Sequence, residues 1–93
     1  MKFDVVPSNR FKKDLKLVQS RGYDIELLTE VIEMLADGKE LPAKYRDHAL
    51  VNSRNYKNKR ECHILPDWLL IYEICNDELL LYLTRTGTHS DLF

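Results

Sequence analysis

The chain has 93 residues, of which 44% are hydrophobic, and a formal net charge of −1. A chain of this length buries somewhat more than ~60% of its unfolded surface, so we expect one domain over residues 1–93 whose functional site is a surface cleft. No apolar stretch approaches the ~20 residues of a membrane-spanning helix, and the charged N-terminus does not resemble a signal peptide. These features predict a cytoplasmic protein without a membrane partner.

The charges are distributed unevenly, although their sum is close to zero. Residues 39–60 contain seven Lys and Arg and two acids, whereas residues 61–93 contain six acids and one base. Segregation of this kind can produce a basic face, which is typical of proteins that bind nucleic acids. We expect a basic loop cluster to contact RNA, with ordinary solvated charge as the alternative. This cluster consists of Arg54, Lys57, Lys59 and Arg60.

The N-terminal half is predicted to form one strand and two helices. The segment "KFDVV" is typical of a short strand. Ser8 is a helix cap, and apolar residues then recur at helical spacing as far as Gly22. Asp24 caps a second helix, which Gly38 closes. Two helices joined by a short turn form an antiparallel hairpin, and residues 39–53 are predicted to be a loop.

The C-terminal half is predicted to form a sheet. The segments "RECHIL", "WLLIYEIC" and "LLLYLTR" are typical of strands, and Pro66 and the turn "NDE" separate them. We therefore predict an α+β fold, in which the helix hairpin covers one face of a small antiparallel sheet. Strict alternation in the last strand places Arg85 on the same face as Leu81 and Leu83, at the end of an apolar row.

The two cysteines show no redox or zinc motif. Cys62 and Cys75 lie thirteen positions apart without a CxxC spacing, and both belong to apolar strand segments. We expect both to be reduced residues of the core.

A set of five polar residues in the second half invites a common explanation. Asp67 follows His63 by four positions, Arg85 precedes His89 by four, and His48 completes the set. Strand ends and loops of one small sheet can bring all five to one edge. A zinc or iron site is one alternative, since imidazole and carboxylate bind these metals. Ligand motifs such as HExxH or HxH are lacking, and a central arginine would repel a cation, so we expect no metal or other cofactor.

Metal-free cleavage of RNA fits the same residues better. A base must take the 2′-OH proton, an acid must protonate the leaving 5′-oxygen, and a cation must stabilise the phosphoryl oxygens. Histidine can be the base or the acid near neutral pH, and the planar guanidinium of Arg85 matches two phosphate oxygens. Phe93 offers a ring on which an unpaired base can stack. Every role has a candidate, and the sequence leaves the choice of base open.

Several segments together resemble one group of bacterial toxins. The segments "DHAL", "ECHILPDWLLIYEI" and "RTGTHSDLF" follow a half that contains "FKKDLK" and "LPAKYRDH". In this order they resemble the YafQ branch of the RelE/ParE toxin superfamily over nearly the whole chain. The resemblance implies a RelE-like, microbial-RNase-like fold. It also implies a toxin of a type II toxin–antitoxin system that cleaves mRNA on the ribosome and so inhibits translation.

The resemblance implies roles for individual residues and for partners. His89 would be the general acid, Arg85 would neutralise phosphate, and Phe93 would contact a base near the scissile bond. The remaining site residues would position the RNA or act as the general base; they are His48, His63 and Asp67. A cognate antitoxin would neutralise the toxin in a complex of two toxins and two antitoxins. In this complex, operator DNA would be bound only through the antitoxin.

A rival hypothesis keeps the fold without the catalysis. ParE-type members of the superfamily bind DNA gyrase and lack this histidine set. Three histidines together with an aspartate and an arginine therefore favour the mRNA endonuclease.

Overall fold

Within residues 1–51 and 53–93, which the computed structural model describes, the chain forms five strands and three α-helices. The strands are β1 (Asp4–Pro7), β2 (His48–Ala49), β3 (Arg60–Leu65), β4 (Trp68–Cys75) and β5 (Leu80–Gly87). The helices are α1 (Asn9–Ser20), α2 (Ile25–Ala36) and the single turn α3 (His89–Leu92). This arrangement confirms the predicted α+β class. Among the described residues, no helix is long and apolar enough to cross a membrane.

The first two helices begin at the caps that the sequence predicts. Ser8 Oγ accepts a hydrogen bond from the Phe11 N–H at 2.9 Å, and Asp24 Oδ1 accepts one from the Glu26 N–H at 3.1 Å. These bonds satisfy backbone donors that the first turn of a helix leaves unpaired. In the turn between the helices, Gly22 has a φ of +82°, which residues with a Cβ rarely adopt. The local sequence therefore determines both helix starts and the turn between them.

The sheet is mixed, and the prediction of a wholly antiparallel sheet was wrong at one edge. The strand order is β1-β5-β4-β3-β2, and the strands from β5 to β2 are antiparallel to their neighbours. β1 runs parallel to β5, with Asp4 opposite Leu80 and Pro7 opposite Leu83. A parallel neighbour requires a crossover, and the two helices provide it by carrying the chain away from β1. The apolar pattern of a strand does not encode its direction, so the parallel pairing of β1 could not be predicted from it.

The segment predicted as loop, residues 39–53, contains two short regular elements. Ala43–Tyr45 form a 3-10 turn, and β2 pairs with β3 so that His48 lies opposite Glu61. Asn52 lies outside the described residues. β2 is too short to produce an alternating pattern, yet it places His48 at the edge of the sheet beside β3.

Each face of the sheet carries its own apolar cluster. The face toward α1 and α2 carries the main core, which includes Trp68, Leu70 and Tyr72 of β4. Trp68 is 1% exposed and its Nε1 donates to Thr86 Oγ1 at 2.9 Å, so this large side chain anchors the core. The opposite face, which we call the second face, carries a smaller cluster of Tyr56, Leu69, Ile71 and Leu92. The loop before β3 and the helix α3 cover this second face.

The cysteines are free thiols. Cys62 is buried in the main core, where burial raises the pKa of its thiol, whereas Cys75 is half-buried at the end of β4. The expectation of two core residues therefore holds for Cys62 alone.

A bulge in β5 turns Arg85 toward the second face. Leu83 lies opposite Tyr72, but Arg85 lies opposite Ile71, so Thr84 is an extra residue without a partner on β4. An extra residue reverses the alternation of side chains from that point onward. Arg85 therefore shares the face of Ile71, and the prediction that it continues the apolar row of Leu83 was wrong. A bulge is defined by pairing with the neighbouring strand, so the alternation of residue types along β5 alone could not predict it.

A second bulge lies in β3 next to the hairpin turn. Leu65 lies opposite Trp68 and His63 lies opposite Leu69, which leaves Ile64 as the extra residue. Ile64 packs in the main core while His63 shares the second face with Leu69. Ordinary alternation thus lets these consecutive residues serve the candidate site and the core, and the bulge changes the register only beyond them.

Candidate active site

The three histidines come together on the second face, at the end of the sheet formed by β2 and β3. The ring centroid of His63 lies 6.3 Å from that of His48 and 5.8 Å from that of His89. These residues belong to β3, to β2 and to the first turn of α3, respectively. The sheet thus assembles side chains that lie up to 41 positions apart in the sequence, from His48 to His89 (89 − 48 = 41).

Asp67 lies in the two-residue turn between β3 and β4 and holds His89. Its Oδ1 accepts hydrogen bonds from the backbone N–H of His89 at 2.9 Å and from its ring Nδ1 at 2.6 Å. Both bonds lower the pKa of Asp67 below its ordinary value, and the backbone bond has the larger effect. Because a carboxylate only accepts hydrogen bonds, Nδ1 of His89 carries a proton. The Nε2 side of the ring is left free to face a substrate.

Glu61 lies between the other two histidines, and sequence reasoning missed it. Its Oε1 is 3.6 Å from His63 Nε2 and 4.0 Å from His48 Nε2, and the residue is 5% exposed. The Nδ1 of His48 is 2.8 Å from the carbonyl oxygen of Arg46, to which it donates a hydrogen bond. Alternation could have revealed Glu61, since it stands two positions before His63 on one strand and so shares its face.

Burial sets the protonation state of His63. Its side chain is 13% exposed, and this burial lowers the pKa of the ring below the ordinary value, although the charge of Glu61 acts in the opposite direction. Its Nδ1 is buried without a hydrogen-bond partner among the described residues. Buried polar atoms are nearly always paired, so this ring nitrogen is an exception. His63 is neutral at physiological pH and can accept a proton.

A network of hydrogen bonds anchors the C-terminal turn that carries His89. Thr88 Oγ1 accepts from the Asp91 N–H, and Asp91 Oδ2 accepts from the Thr88 N–H, which forms a capping box. Arg21 of the segment after α1 donates to both carboxylate oxygens of Asp91, at 2.6 and 3.1 Å. These bonds hold the pKa of Asp91 well below its usual range, with Arg21 as the main cause. The Asp91 side chain also fills the space in which a side chain at Gly87 would lie.

Phe93 lies beside the site with much of its ring exposed. Its ring meets that of Tyr56 edge to face, with centroids 5.4 Å apart, and the residue is 61% exposed. The Tyr56 hydroxyl donates to the Leu92 carbonyl oxygen at 2.9 Å, and Leu92 is buried in the second-face cluster. The C-terminal tail therefore folds back onto the second face, where Leu92 anchors it and the ring of Phe93 stays exposed.

Arg85 borders the histidine cluster, and its guanidinium is bound elsewhere. Nε and Nη2 donate to the carboxylate of Asp14 at 2.7 and 3.0 Å, and this contact raises the pKa of Arg85. Arg85 lies opposite Ile71, which lies opposite Glu61. Two strand spacings therefore separate the Cα atoms of Arg85 and Glu61, about 10 Å. Among the described residues we find no hydrogen bond or ion pair between Arg85 and a histidine.

The basic loop cluster divides into two pairs. Arg54 and Lys57 are exposed, and no ion pair involves them among the described residues. Lys59 instead forms an ion pair with Glu73, and Arg60 one with Asp47 at 3.0 Å. Strand pairing of β3 with its neighbours places these acids beside the two cations, which sequence spacing could not show. Nearby acids therefore neutralise Lys59 and Arg60, whereas Arg54 and Lys57 can attract a polyanion such as RNA with their full charge.

One group of side chains could hold a metal ion. Ligand atoms of Glu61, His63 and His89 all lie within 4.8 Å of one another, and imidazole and carboxylate are suitable ligands for a transition metal. The sequence did not predict this group, because Glu61 was overlooked and His89 comes from a separate element, α3.

Comparison with known proteins identifies the family. A family model described as "Bacterial toxin of type II toxin-antitoxin system, YafQ" matches residues 3–93. A protein from Escherichia coli (strain B / BL21-DE3) named mRNA interferase toxin YafQ is 43% identical over 91 residues, which cover 97% of this chain and 95% of that protein. The chain therefore belongs to the YafQ family of bacterial toxins.

Two solved structures extend the comparison to the fold. A metal-bound toxin from Helicobacter pylori has a TM-score of 0.90 and 43% identity, and the alignment covers 98% of this chain and 99% of that one. A chain of the E. coli DinJ–YafQ complex has a TM-score of 0.87 and 41% identity, with 98% of both chains covered. These structures share the α+β fold described above.

Proposed function

We propose that this protein is the toxin of a type II toxin–antitoxin system and acts as a ribosome-dependent mRNA endonuclease that inhibits translation. The observation that carries the proposal is the cluster of three imidazoles, with centroid distances of 6.3 and 5.8 Å, beside two carboxylates. Such a cluster supplies a proton acceptor and a proton donor near neutral pH, both of which cleavage through a 2′-OH requires. The E. coli relative, named an mRNA interferase toxin, supports the same activity.

His63 is the general base in this mechanism. Its lowered pKa keeps the ring neutral, so it can take the 2′-OH proton, and the oxygen then attacks the adjacent phosphorus. Glu61, 3.6 Å from Nε2, stabilises the imidazolium that forms. Asp67 suits this role less well, since its lowered pKa makes it a weak base and its Oδ1 is bonded to His89. His48, half-exposed at the sheet edge, positions the RNA.

His89 is the general acid. The carboxylate of Asp67 accepts a hydrogen bond from its Nδ1–H and orients the ring, so that Nε2 can donate a proton to the leaving 5′-oxygen. The His89 side chain is 54% exposed, which allows it to reach a phosphate of bound RNA.

Arg85 and Phe93 complete the site. The guanidinium of Arg85 stabilises the charge that develops on the phosphoryl oxygens, which is often the largest single contribution to such catalysis. The exposed ring of Phe93 stacks on a base next to the scissile bond. The requirement for a 2′-OH restricts cleavage to RNA.

The mechanism uses no metal ion. The H. pylori relative is described as metal-bound, and Glu61, His63 and His89 fit a divalent cation in this chain. A cation held there would supply a Lewis acid to a phosphate oxygen. It would also occupy lone pairs of both the proposed base and the proposed acid. Acid–base chemistry by His63 and His89 therefore proceeds in the metal-free protein.

The proposed partners are the ribosome, mRNA and a cognate antitoxin. The exposed cations Arg54 and Lys57 suit contacts with ribosomal RNA in the cytoplasm. The complex of the E. coli relative with DinJ supports an antitoxin partner for this chain. We place the antitoxin on the basic surface of the helices and of residues 39–60, in an assembly of two toxins and two antitoxins. Operator DNA would be contacted through the antitoxin alone.

A translating extract tests the function directly. Added protein should cut mRNA that is being translated, with full activity after treatment with a chelator that removes zinc and other transition metals but leaves the Mg²⁺ on which ribosomes depend, and added Zn²⁺ should inhibit it. Gyrase-linked DNA breaks without cut mRNA would support the ParE-like alternative. Loss of cleavage after this treatment, with recovery on addition of Zn²⁺, would overturn the metal-free mechanism.

A further inference from the structure

We propose that Asp14, on the buried side of α1, is a positioning residue of the cleavage reaction, because it orients the guanidinium of Arg85 toward the scissile phosphate. The inference rests on the proposed endonuclease function and adds to it a residue outside the histidine cluster.

The contact between the two side chains is bidentate and shielded from water. Arg85 Nε donates to Asp14 Oδ2 at 2.7 Å, and Nη2 donates to Oδ1 at 3.0 Å. The side chains of Arg85 and Asp14 are 15% and 9% exposed, respectively. A bidentate, partly buried pair fixes the plane of the guanidinium as well as its position.

A third bond ties the same carboxylate to the bulge that sets the direction of Arg85. The Thr86 N–H donates to Asp14 Oδ2 at 3.2 Å, and Ser8 Oγ donates to the carbonyl oxygen of the bulged Thr84 at 2.8 Å. β1 ends at Pro7 opposite Leu83, so this part of β5 has no strand neighbour on that side. Ser8 and Asp14 thus bind this edge of β5 where a strand is missing. They hold the backbone on either side of Arg85, and Asp14 also holds its side chain.

The geometry of the pair determines what Arg85 can offer to a substrate. Asp14 occupies the edge formed by Nε and Nη2, so the two N–H groups of Nη1 and the second N–H of Nη2, at the far end of the guanidinium, remain for phosphate oxygens. The negative charge of Asp14 also offsets the positive charge of Arg85. Arg85 therefore contributes mainly through directional hydrogen bonding to the phosphate, and less through long-range electrostatic attraction of RNA. Loss of Asp14 should then affect the chemical step and RNA binding in opposite directions.

The test is a double-mutant cycle on a ribosome-bound mRNA with one cleavage site. Asp14→Asn should lower the single-turnover rate at saturating protein by about 10- to 100-fold, the usual effect of a misplaced catalytic group. The Kd for the programmed ribosome should stay unchanged or fall, because a negative charge is removed. In an Arg85→Ala background the same substitution should change the rate less than about twofold, since its target is gone.

Controls separate positioning from stability. Val18→Ala truncates a fully buried apolar side chain one turn further along α1, which cannot form a hydrogen bond or ion pair with Arg85, and should lower the melting temperature while the rate of the folded protein is unchanged. If Asp14→Asn does not fold, Arg85→Lys probes the same pair from the other side. Lysine keeps the positive charge but lacks the planar guanidinium that makes two hydrogen bonds to Asp14. Arg85→Lys should therefore reproduce the loss of rate, with unchanged ribosome binding.

The activities of these variants distinguish the positioning role of Asp14 from the endonuclease function on which it rests. An equal loss of rate from Asp14→Asn in the Arg85→Ala and wild-type backgrounds would overturn the positioning role. Full activity of Asp14→Asn beside an inactive Arg85→Ala would overturn it too, while the endonuclease proposal would stand. Full activity of Arg85→Ala would refute the role of Arg85 itself.

Discussion

Asp67 Oδ1 accepts two hydrogen bonds from one residue, His89, through the backbone N–H at 2.9 Å and the ring Nδ1 at 2.6 Å. The first bond fixes the start of α3 relative to the turn between β3 and β4. The second fixes the tautomer and the orientation of the ring. One carboxylate therefore sets both where the proposed acid stands and which nitrogen faces the substrate.

Replacement of Asp67 should impair cleavage with little effect on folding. Asp67→Ala removes both bonds to His89, and we expect a 10- to 100-fold fall in the single-turnover rate, comparable to other positioning defects. The Asp67 side chain is 65% exposed, so the melting temperature should fall by less than about 4 °C, the change that ~1 kcal/mol produces in a domain of this size. Asp67→Asn keeps an oxygen acceptor and should lose less. A large drop in melting temperature would instead make Asp67 a structural residue.

Replacement of Glu61 should change the pH dependence of cleavage. The charge of Glu61 raises the pKa of His63 while burial lowers it, and burial has the larger effect. Glu61→Gln should therefore lower the pKa of His63 further, and the acidic limb of the rate profile should move to lower pH. NMR titration of the His63 ring protons measures the shift independently, and the exposed Glu33→Gln is the matched control. A shift toward higher pH would contradict the assignment of His63 as base.

The same pKa has a consequence for stability. In the folded protein the pKa of His63 is below the ordinary value of ~6.5, so the unfolded chain binds its proton first as the pH falls. The contribution of His63 to stability is therefore present above about pH 6.5 and declines below it.

Two double substitutions with the same change in charge should separate binding from stability in the basic loop. Arg54→Ser with Lys57→Ser removes exposed cations, so ribosome affinity should fall and its dependence on salt should become less steep by about two phosphate contacts. Lys59→Ser with Arg60→Ser removes cations that acids already neutralise. This second variant should bind nearly as well but melt at a lower temperature. Equal losses of affinity in both variants would contradict the division of the cluster.

Asp91 and Arg21 should act as one unit in holding the C-terminal turn. Asp91→Ala and Arg21→Ala should each lower cleavage several-fold, with the larger loss in Asp91→Ala because it also removes the capping box with Thr88. The double variant should be no worse than Asp91→Ala, since that variant has already lost the contact with Arg21. Hydrogen exchange of residues 89–93 should become faster in each variant. The exposed Asp77→Ala is the control for a lost acid. Unchanged exchange in Asp91→Ala would show that other contacts hold the turn.

The lowered pKa of Asp91 sets the pH range of this contact. A carboxyl whose folded pKa is depressed stabilises the fold at pH values above its unfolded pKa, and this stabilisation is lost as the pH falls through the folded value. The anchor should therefore hold throughout the physiological range and loosen only in strong acid.

Local signals in the sequence predicted most of the fold. Ser8 and Asp24 begin the helices that the apolar spacing indicated, and β3 and β4 have the predicted bounds. Pairing between strands carries information that one strand does not contain. For this reason the sequence missed the parallel direction of β1 and the bulge at Thr84, which moves Arg85 to the second face.

The candidate site was predictable where residue chemistry alone sufficed. Three histidines, Asp67 and Phe93 stood out by type, and the structure places them around one end of the second face. Glu61, Asp14 and Arg21 did not stand out, because an acid on a strand or a charge on a helix is ordinary until its distant partner is known. Their importance depends on contacts across as many as 71 positions, as between Asp14 and Arg85.

His89→Gln tests the central claim, that this chain cleaves mRNA by acid–base catalysis, most directly. Gln keeps size and hydrogen bonding but cannot deliver a proton as an acid, so the single-turnover rate on ribosome-bound mRNA should fall roughly 10²- to 10⁴-fold with unchanged ribosome affinity.

A substrate with sulfur in place of the leaving 5′-oxygen makes the measurement specific for the acid, because sulfur leaves readily without a proton. If His89 is the general acid, this substrate should restore much of the rate of His89→Gln and accelerate the wild type far less. Arg85→Ala is the control, since a lost phosphate contact should not be rescued by a better leaving group. Equal acceleration of the wild type and His89→Gln would contradict the account and leave His89 as a phosphate contact.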